Sequence, residues 1–396
     1  AITGVSGGDA TESGTQAVTI AITDNALDSG TQATYSASSA ATELATTEFN
    51  YMNSGGNSKN PLEVINAHKA HGYGFTGNGQ VVAVMDSGFF NSHDDLASTT
   101  ITTTGDYISG TGNSASADHG AIVTGIIAGN NNGSGIVGVA PSAALHISDF
   151  NYWSPAIWDD LVDGATNAGA VAQNNSWGFD QQYGAAGANV FVNYMNNNGL
   201  SGSETLVAFQ SIDTNNDGYY DIGVSNTPKT WTTNDWDGYI SSLDSFQDTG
   251  VVVFALSNDD TKTDADISAA LPELFSSLQE AWINVANVNI SGTTSQTHSL
   301  ESAPCGSTAE YCLAADGTNI FMPGYTGYTL SGSTYGTATG TSFAAPQVSG
   351  SIALLASHFP NHSPEALADR LLASANNEIG FTQTGTVTFG NGVVHG

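Results

Sequence analysis

Runs that are largely apolar recur along the chain from residue 79 onward. The first of them, at 79–86, reads G-Q-V-V-A-V-M-D and ends in an acid. Comparable runs lie at 145–147, 170–176, 251–256 and 283–288. Unbroken Val and Ala runs of this length are typical of strands buried on both faces, as in parallel sheets. Helical patterns at 118–128 and 157–168 lie between them, so the chain is predicted to be α/β, with a doubly wound, mostly parallel sheet flanked by helices.

A helical pattern of a different kind follows the sequence G-T-S-F-A-A-P at 340–346. Because an apolar segment of helical length comes next, Ser342 is predicted to lie where a loop becomes a buried helix, at the positive end of the helix dipole. Gly340 is expected to let the backbone turn sharply, and Pro346 to be tolerated because first-turn amides have no intrahelical partner. Ser342 could be a nucleophile or simply a helix cap.

The two ends of the chain carry weaker patterns. Residues 1–58 are rich in Gly, Ser, Thr and Ala, and E-S-G-T-Q-A at 12–17 is echoed by D-S-G-T-Q-A at 28–33. We interpret 1–58 as an N-terminal β-rich arm, either a hairpin or an extended arm, with a flexible linker as the alternative. The main domain would be 59–396, with helices at 61–72 and 364–373 and a terminal hairpin after residue 383.

Composition narrows the classes of partner. The 396 residues include 37 acidic and 5 basic side chains, which gives a formal net charge of -32. Such a surface repels nucleic acid and anionic membranes, so neither is expected as a partner. The charge indicates adaptation to saline surroundings or a lineage composition without functional meaning. No apolar run reaches the length of about 18 residues that a membrane span needs.

Cys305 and Cys312 are the only cysteines, and no C-x-x-C or Cys/His cluster suggests zinc. A disulfide is the favoured interpretation; it would pin one short loop and indicate an oxidising, extracellular location. The chain begins at Ala1 without a charged-then-apolar leader, so we expect that any signal peptide or pro-segment has been removed or lies outside this sequence.

Three short motifs together suggest nucleophilic catalysis. Asp86 stands in D-S-G, His119 in D-H-G-A-I-V-T-G, and Ser342 in G-T-S-F-A-A-P. A serine hydroxyl is a poor nucleophile unless an imidazole takes its proton, and the imidazole needs a carboxylate to fix its tautomer and stabilise its charged form. Each residue taken alone could be structural, as a hydrogen-bond acceptor or a helix cap. All three together are hard to explain by chance.

With these motifs the chain resembles the subtilisin-like (subtilase) serine endopeptidases over residues 61–395. The resemblance implies that Asp86 is the orienting acid, His119 the general base and Ser342 the nucleophile, in the Asp, His, Ser order of subtilisin. It also implies that Asn258, after the run V-V-V-F-A-L-S, is an oxyanion donor, although a structural amide is the alternative. His93 in H-D-D-L is a rival base, but it lacks the following Gly and apolar helix.

The resemblance extends to substrate contacts. The sequence N-N-S-W-G at 174–178 resembles the family's substrate strand, to which an extended peptide adds by backbone hydrogen bonds. Trp177 could line a subsite or merely fill the core. No charge is placed there by the motifs, so large apolar side chains are expected in the pocket. The expected substrate-binding residues form two walls: Ser176, Trp177 and Gly178; and Ala255, Leu256 and Ser257.

Calcium is the expected cofactor. The sequence D-T-N-N-D-G-Y-Y-D has the oxygen-ligand spacing of an EF-hand-like loop, with Gly218 at the turn position, although Val224 replaces the bidentate Glu. An acidic turn is the alternative. The loop lies in an apparent insertion at 179–249. A second, weaker site is suggested by Asp95 and Asn132, which match segments that bind calcium in some relatives. The ligands expected in the loop are Asp213, Asn215, Asp217, Tyr219 and Asp221.

These expectations combine into a secreted, calcium-stabilised serine endopeptidase, expected to be a monomer that acts on protein or peptide substrates. A pro-segment or protein inhibitor could occupy the same cleft. A catalytically silent, calcium-dependent binding module is one alternative. An acid-active relative with a glutamate base is another, and the D-H-G motif speaks against it.

Overall fold

The computed structural model describes residues 35–57, 60–89, 93–105, 119–150, 157–181, 187–210, 222–223, 231–291, 297–323 and 335–375. The compact unit that contains the sheet begins at Tyr35. Its strands, in chain order, are β1 Val81–Asp86, β2 Ile101–Thr104, β3 Ala144–Asp149, β4 Ala172–Asn175, β5 Asp180–Gln181, β6 Ile222–Gly223, β7 Val251–Ala255, β8 Trp282–Ser291, β9 Thr297–Leu300, β10 Cys312–Ala315, β11 Ile320–Pro323 and β12 Tyr335–Ala338.

The described strands form one eight-stranded sheet and two small ribbons. The sheet has the order β10-β8-β7-β4-β1-β3-β2, with β9 pairing antiparallel to β8 and every other pair parallel. The ribbons pair β11 with β12 and β5 with β6. The order reverses direction at β1 and β4, so their carboxyl ends border a crevice where ligands bind in open α/β sheets. The predicted mostly parallel sheet is confirmed.

The helices of the described residues cover both faces of this sheet. In chain order they are α1 Ala37–Leu44, α2 Thr47–Tyr51, α3 Pro61–Val64, α4 Ala67–Gly72, α5 His119–Ala128, α6 Trp158–Asn167, α7 Asn189–Asn198, α8 Gly202–Phe209, α9 Thr233–Gln247, α10 Leu271–Leu274, α11 Thr341–His358 and α12 Pro364–Ser374. None of them combines the length and apolar character needed to cross a bilayer.

Strand β1 illustrates why the apolar runs are unbroken. Val82 and Val84 lie in the core on the face covered by α5, α11 and α12, while Ala83 and Met85 lie in the core on the face covered by α6 and α9. Because successive side chains of a strand point to opposite faces, two covered faces favour apolar residues at successive positions. The same preference explains the run in β7.

The N-terminal segment differs from the prediction. The repeated hexapeptides and the C-terminal hairpin lie outside the described residues, but 35–57 is helical where a β-rich arm was predicted. Ser36 caps α1 by accepting from the Ser39 amide, and Thr46 caps α2 in the same way. The Asn60 side chain donates to the Phe49 carbonyl at 2.8 Å. The boundary predicted at residue 58 therefore falls inside the compact unit.

The helix predicted at 61–72 and the predicted disulfide can both be compared with the structure. The helix predicted at 61–72 is two helices, α3 and α4, because Asn66 between them adopts a left-handed conformation with φ 57°. A disulfide joins Cys305 to Cys312 across the helical turn Gly306–Tyr311. Both sulfur-bearing residues are buried in the core on the α6 and α9 side of the sheet.

Candidate active site

Asp86 and His119 form a hydrogen-bonded pair at the carboxyl end of β1. Asp86 is buried as the last residue of β1, and His119 is the first residue of α5, with 28% of its side chain exposed. The ring Nδ1 lies 2.9 Å from both carboxylate oxygens of Asp86. An Nδ1–H that donates to the carboxylate leaves the lone pair of Nε2 free to accept a proton.

The surroundings of His119 change its proton affinity in opposite directions. Burial of the ring lowers its pKa, while the charge of Asp86 and the hydrogen bond to it raise it, and the net result is a pKa above the ordinary value for histidine. Asp86 is in turn held by the amide of Ser87, which donates to its Oδ1 at 2.7 Å. The carboxylate therefore orients the imidazole and stabilises its protonated form.

Ser342 is the second residue of α11 and is 9% exposed. Its Oγ donates to the Ser176 carbonyl at 3.1 Å, and the Ser176 hydroxyl donates to the Ser342 carbonyl at 3.1 Å. Among the described residues, no hydrogen bond joins Ser342 to His119, although the neighbouring Phe343 ring lies 6.1 Å from the imidazole, centroid to centroid. The Ser342 hydroxyl is therefore turned toward the backbone of Ser176, which directly follows β4.

Pro346 explains why the Ser342 carbonyl can accept from the Ser176 hydroxyl. It lies inside α11, in the second turn, so the prediction that it occupies the first turn is wrong. A residue at this position would normally donate its amide to the carbonyl four residues earlier, which is that of Ser342. Proline has no amide hydrogen, so the Ser342 carbonyl remains available and accepts from the Ser176 hydroxyl.

Asn258 lies in the loop that follows β7, with its side-chain carbonyl fixed. Its Oδ1 accepts from the Thr341 amide at 2.9 Å and lies 3.1 Å from the Thr341 hydroxyl. Because the oxygen accepts from Thr341, the Nδ2 group is left available as a donor. Asn258 is exposed, unlike a buried structural amide. The Thr341 hydroxyl also contacts the Leu256 carbonyl at 2.6 Å.

Glycine is needed at position 340 for a different reason from the predicted sharp turn. Its φ of 163° is extended backbone that any residue can adopt, so a sharp turn is not what requires glycine. A Cβ at this position would lie 3.1 Å from Asn258 Oδ1 and 3.4 Å from its Nδ2. Glycine therefore lets the side chain of Asn258 approach the start of α11 closely.

A cleft of about 400 Å³ is lined by eight of the predicted residues, while Asp86 and His119 are not among the residues that line it. All six predicted substrate-binding residues line it, together with Asn258 and Ser342. Trp177 satisfies both interpretations, since it lines the cleft and also packs edge-on against Trp158 and Phe254, with centroid distances of 4.8 and 5.1 Å. The motifs missed five further lining residues: Phe179, Asp259, Lys262, Asp266 and Thr341.

Three of the missed residues are charged, although the motifs suggested an uncharged pocket. Burial raises the pKa of Asp266, while hydrogen bonds from the Ala269 and Ser257 amides lower it, and burial is the larger effect. Lys262 lies 3.9 Å from Asp259, measured from Nζ to Oδ2. An acid directly after Asn258 could have been noticed in the sequence. The position of Asp266 depends on how the following loop folds back, which no motif signals.

Only the second of the two predicted calcium sites involves residues that the structure describes. Residues 213–221 lie outside the described residues. Asp95 is buried and its Oδ2 accepts from the Ile136 amide at 3.2 Å, while Asn132 Oδ1 accepts from the amide and hydroxyl of Ser134. Within the described ranges, no three His, Cys, Asp or Glu side chains gather as a metal site. Asp95 Oδ2 and Asn132 Oδ1 thus accept from protein donors, and the second site stays a prediction.

His93, the rejected rival base, lies beside Asp95, with its Nδ1 3.8 Å from Asp95 Oδ2. It is 2% exposed, and its Nδ1 accepts from the Asp95 amide at 3.2 Å. This is a cap at the start of a short helical turn, so the ring has a structural role.

The fold and this site define the class of the protein. The chain belongs to the subtilase family: the profile described as "Subtilase family" matches residues 77–392. It is similar to the subtilisin of Bacillus pumilus, with 29% identity over 320 residues that cover 79% of this chain and 90% of that protein. It is also similar to a protein named extracellular serine protease from Serratia marcescens, with 25% identity over 344 residues that cover 80% of this chain.

The coverage of these relatives is uneven. The chain spans 31% of the Serratia marcescens protein and 65% of subtilisin E from Bacillus subtilis (strain 168). Among solved structures, fervidolysin from Fervidobacterium pennivorans, a keratinolytic enzyme related to subtilisin, superposes with a TM-score of 0.54 at 22% identity. The match covers 87% of this chain and 46% of that one. At this identity the likeness shows a shared fold.

Proposed function

We propose that the chain is a serine endopeptidase that hydrolyses peptide bonds through Asp86, His119 and Ser342. The observation that carries the proposal is the pairing of His119 Nδ1 with Asp86 beside the start of α11, where Ser342 lines the same cleft as Asn258. Ser342 would leave its bond to the Ser176 carbonyl and turn toward the imidazole by rotation about one side-chain bond, which is an ordinary rotamer change.

In the proposed reaction, Ser342 Oγ attacks the scissile carbonyl carbon while its proton passes to His119 Nε2. The carbonyl oxygen becomes an oxyanion that accepts from Asn258 Nδ2 and from the Ser342 amide, which as a first-turn amide has no intrahelical partner. The C–N bond then breaks, the leaving amine takes the proton from His119, and an acyl ester remains on Ser342. Water attacks the ester, passes a proton to His119, and the acid is released as Ser342 regains its hydrogen.

The substrate would bind as an extended strand along residues 176–178. Backbone hydrogen bonds in this mode give affinity without a strict sequence requirement, which suits protein or peptide substrates. The opposite wall, at 255–258, would enclose the side chain that precedes the scissile bond. A pro-segment or protein inhibitor would use the same cleft.

Secretion and calcium stabilisation are further parts of the proposal. The disulfide between Cys305 and Cys312 and the extracellular Serratia marcescens relative support secretion. The spacing of oxygen-bearing residues at 213–221 supports calcium, which would stabilise the long segment between β4 and β7 against local unfolding. We propose that the protein acts as a monomer.

Peptide-library digestion tests the proposed activity. The wild type should produce new amino termini from a mixture of unlabelled peptides, detected by mass spectrometry, and Ser342→Ala should produce none above background. Ser357→Ala is a matched control on the same helix, since Ser357 lies at the far end of α11. Equal product from wild type and Ser342→Ala would refute the proposal.

A further inference from the structure

The part of the cleft wall that follows Asn258 is anchored through a residue that does not itself line the cleft. Asp259, Lys262 and Asp266 line the cleft, and Asp264 lies between the last two in sequence. Only 2% of the Asp264 surface is exposed, so its carboxyl group is enclosed by protein. We call residues 259–266 the wall segment.

One carboxyl oxygen of Asp264 holds the start of α7. Oδ2 accepts from the Asn189 amide at 3.0 Å and from Asn189 Nδ2 at 2.5 Å. Asn189 is the first residue of α7, where amides have no intrahelical partner, and Ala188 before it gives no side-chain cap. The Ala188 amide also donates to the Ala265 carbonyl at 2.8 Å. The wall segment therefore caps a helix that lies far from it in sequence.

The other carboxyl oxygen of Asp264 holds the turn that the disulfide closes. Oδ1 accepts from the Ser307 amide at 2.7 Å and from the Ser307 hydroxyl at 3.0 Å. Ser307 lies in the helical turn Gly306–Tyr311, across which the disulfide lies. A Cβ at Gly306 would overlap Asp264 Oδ1, and its φ of 52° is left-handed, so glycine permits this close approach.

The anchor at Asp264 is two residues from the cleft. The Ala265 amide donates to Asp264 Oδ1 at 3.0 Å, which fixes the backbone between the anchor and Asp266. Asp266 Oδ2 accepts from the Ser257 amide on one wall at 2.7 Å. On the other wall, a Cβ built on Gly178 would lie 3.5 Å from Asp266 Oδ1. A shift of the wall segment at Asp264 would therefore change the spacing between the two walls.

We infer that Asp264 is a positioning residue that sets the width of the cleft where the substrate side chain before the scissile bond enters. It does so by tying the wall segment to α7 and to the disulfide-closed turn at the same time. This inference rests on the proposed peptidase function and adds to it a residue that acts on substrate selection without touching the substrate.

The change Asp264→Asn removes one of the two anchors. An asparagine side chain keeps one acceptor oxygen and places an NH₂ group against the N–H donors of either Asn189 or Ser307. The released wall segment would enclose a large side chain less closely and a small one as before. Loss of contact equivalent to one methylene group lowers kcat/KM by about 10-fold or more.

The test uses fluorogenic peptides that are identical except for Phe or Ala before the scissile bond. Asp264→Asn should lower the Phe to Ala ratio in kcat/KM by about 10-fold, through a higher KM for the Phe peptide and an unchanged kcat. A merely structural role would lower the activity on both peptides equally, by reducing the folded fraction. Asp260→Asn, an exposed acid of the same wall segment that does not line the cleft, is the matched control and should keep the wild-type ratio.

Two further variants separate positioning from loss of folding. Adding Asn189→Asp to Asp264→Asn gives the new NH₂ group a carboxylate to donate to, so the Phe to Ala ratio should return toward the wild-type value. Ser307→Ala removes only the hydroxyl donor at Oδ1 and should lower the ratio in the same direction but by less. It decides the question if Asp264→Asn does not fold by circular dichroism.

An unchanged ratio in folded Asp264→Asn, or in Ser307→Ala where Asp264→Asn does not fold, would overturn the inference. Equal losses on the Phe and Ala peptides would overturn it too. In these cases hydrolysis of the peptides by the wild type would still uphold the proposed function. No hydrolysis of either peptide by the wild type would overturn both.

Discussion

Ionisation of the buried Asp316 carboxyl destabilises the folded protein, and this effect can be measured separately from catalysis. Asp316 lies between β10 and β11, only 1% exposed, with its Oδ1 accepting from the Thr318 amide at 3.0 Å. Burial, helped by the charge of Glu301, raises its pKa from 3.8 to about 7. Between these values the folded protein holds a proton that the unfolded chain releases, so stability falls as pH rises through this window and the loss is complete above pH 7.

The magnitude follows from the two pKa values. Their difference corresponds to about 4 kcal/mol of destabilisation at high pH, of which about 3 kcal/mol develops between pH 5 and pH 8.5. Asp316→Asn keeps the shape and the oxygen that accepts from Thr318 but cannot ionise. The free energy of unfolding of the variant minus that of the parent should therefore increase by about 3 kcal/mol as the pH rises from 5 to 8.5.

Urea unfolding followed by tryptophan fluorescence measures this gain. Both proteins should carry Ser342→Ala, because removing the proposed nucleophile prevents self-digestion during unfolding. Asp369→Asn on the exposed face of α12 is the matched control and should show no pH-dependent gain, since its side chain is exposed in the folded state too. A gain for Asp316→Asn that stays constant within about 0.5 kcal/mol from pH 5 to 8.5 would refute the reasoning.

Three other predictions concern catalysis and calcium. Asn258→Ala should lower kcat by about 10² to 10³-fold with little change in KM, the size known for this loss in subtilisin itself, and steady-state kinetics would show it. The kcat/KM profile should fall at acid pH as His119 is protonated, and Asp86→Asn should move this limb to lower pH because the carboxylate raises the His119 pKa. EDTA should lower the thermal midpoint in calorimetry, and Asp217→Ala should remove most of that response; an unchanged midpoint would contradict the calcium loop.

The sheet could be predicted from the sequence because two buried faces leave a local signature. Each of the largely apolar runs contains or overlaps a strand, and the motifs around Asp86, His119 and Ser342 lie next to such strands or at helix starts. The carboxyl ends of parallel strands meet at one edge, so residues far apart in sequence reach one cleft. These features depend on local pattern and on general rules of sheet topology.

Other features depend on contacts between distant segments and leave no local signature. The N-terminal helices contain Ala, which favours a helix, together with Ser and Thr, which favour it less, and Ser36 and Thr46 cap the two helices. Asp266 reaches the cleft only because its loop folds back onto the Ser257 amide. The role of Gly340 likewise depends on the approach of Asn258, a residue 82 positions earlier.

Covalent labelling with a fluorophosphonate tests most directly whether Ser342 is an activated nucleophile. Intact mass and peptide mapping should show one adduct per chain, on Ser342, and labelling should be lost in Ser342→Ala and strongly slowed in His119→Ala. The control Ser357→Ala should label like the wild type. No adduct on wild-type Ser342, or equal labelling rates in wild type and His119→Ala, would contradict the account.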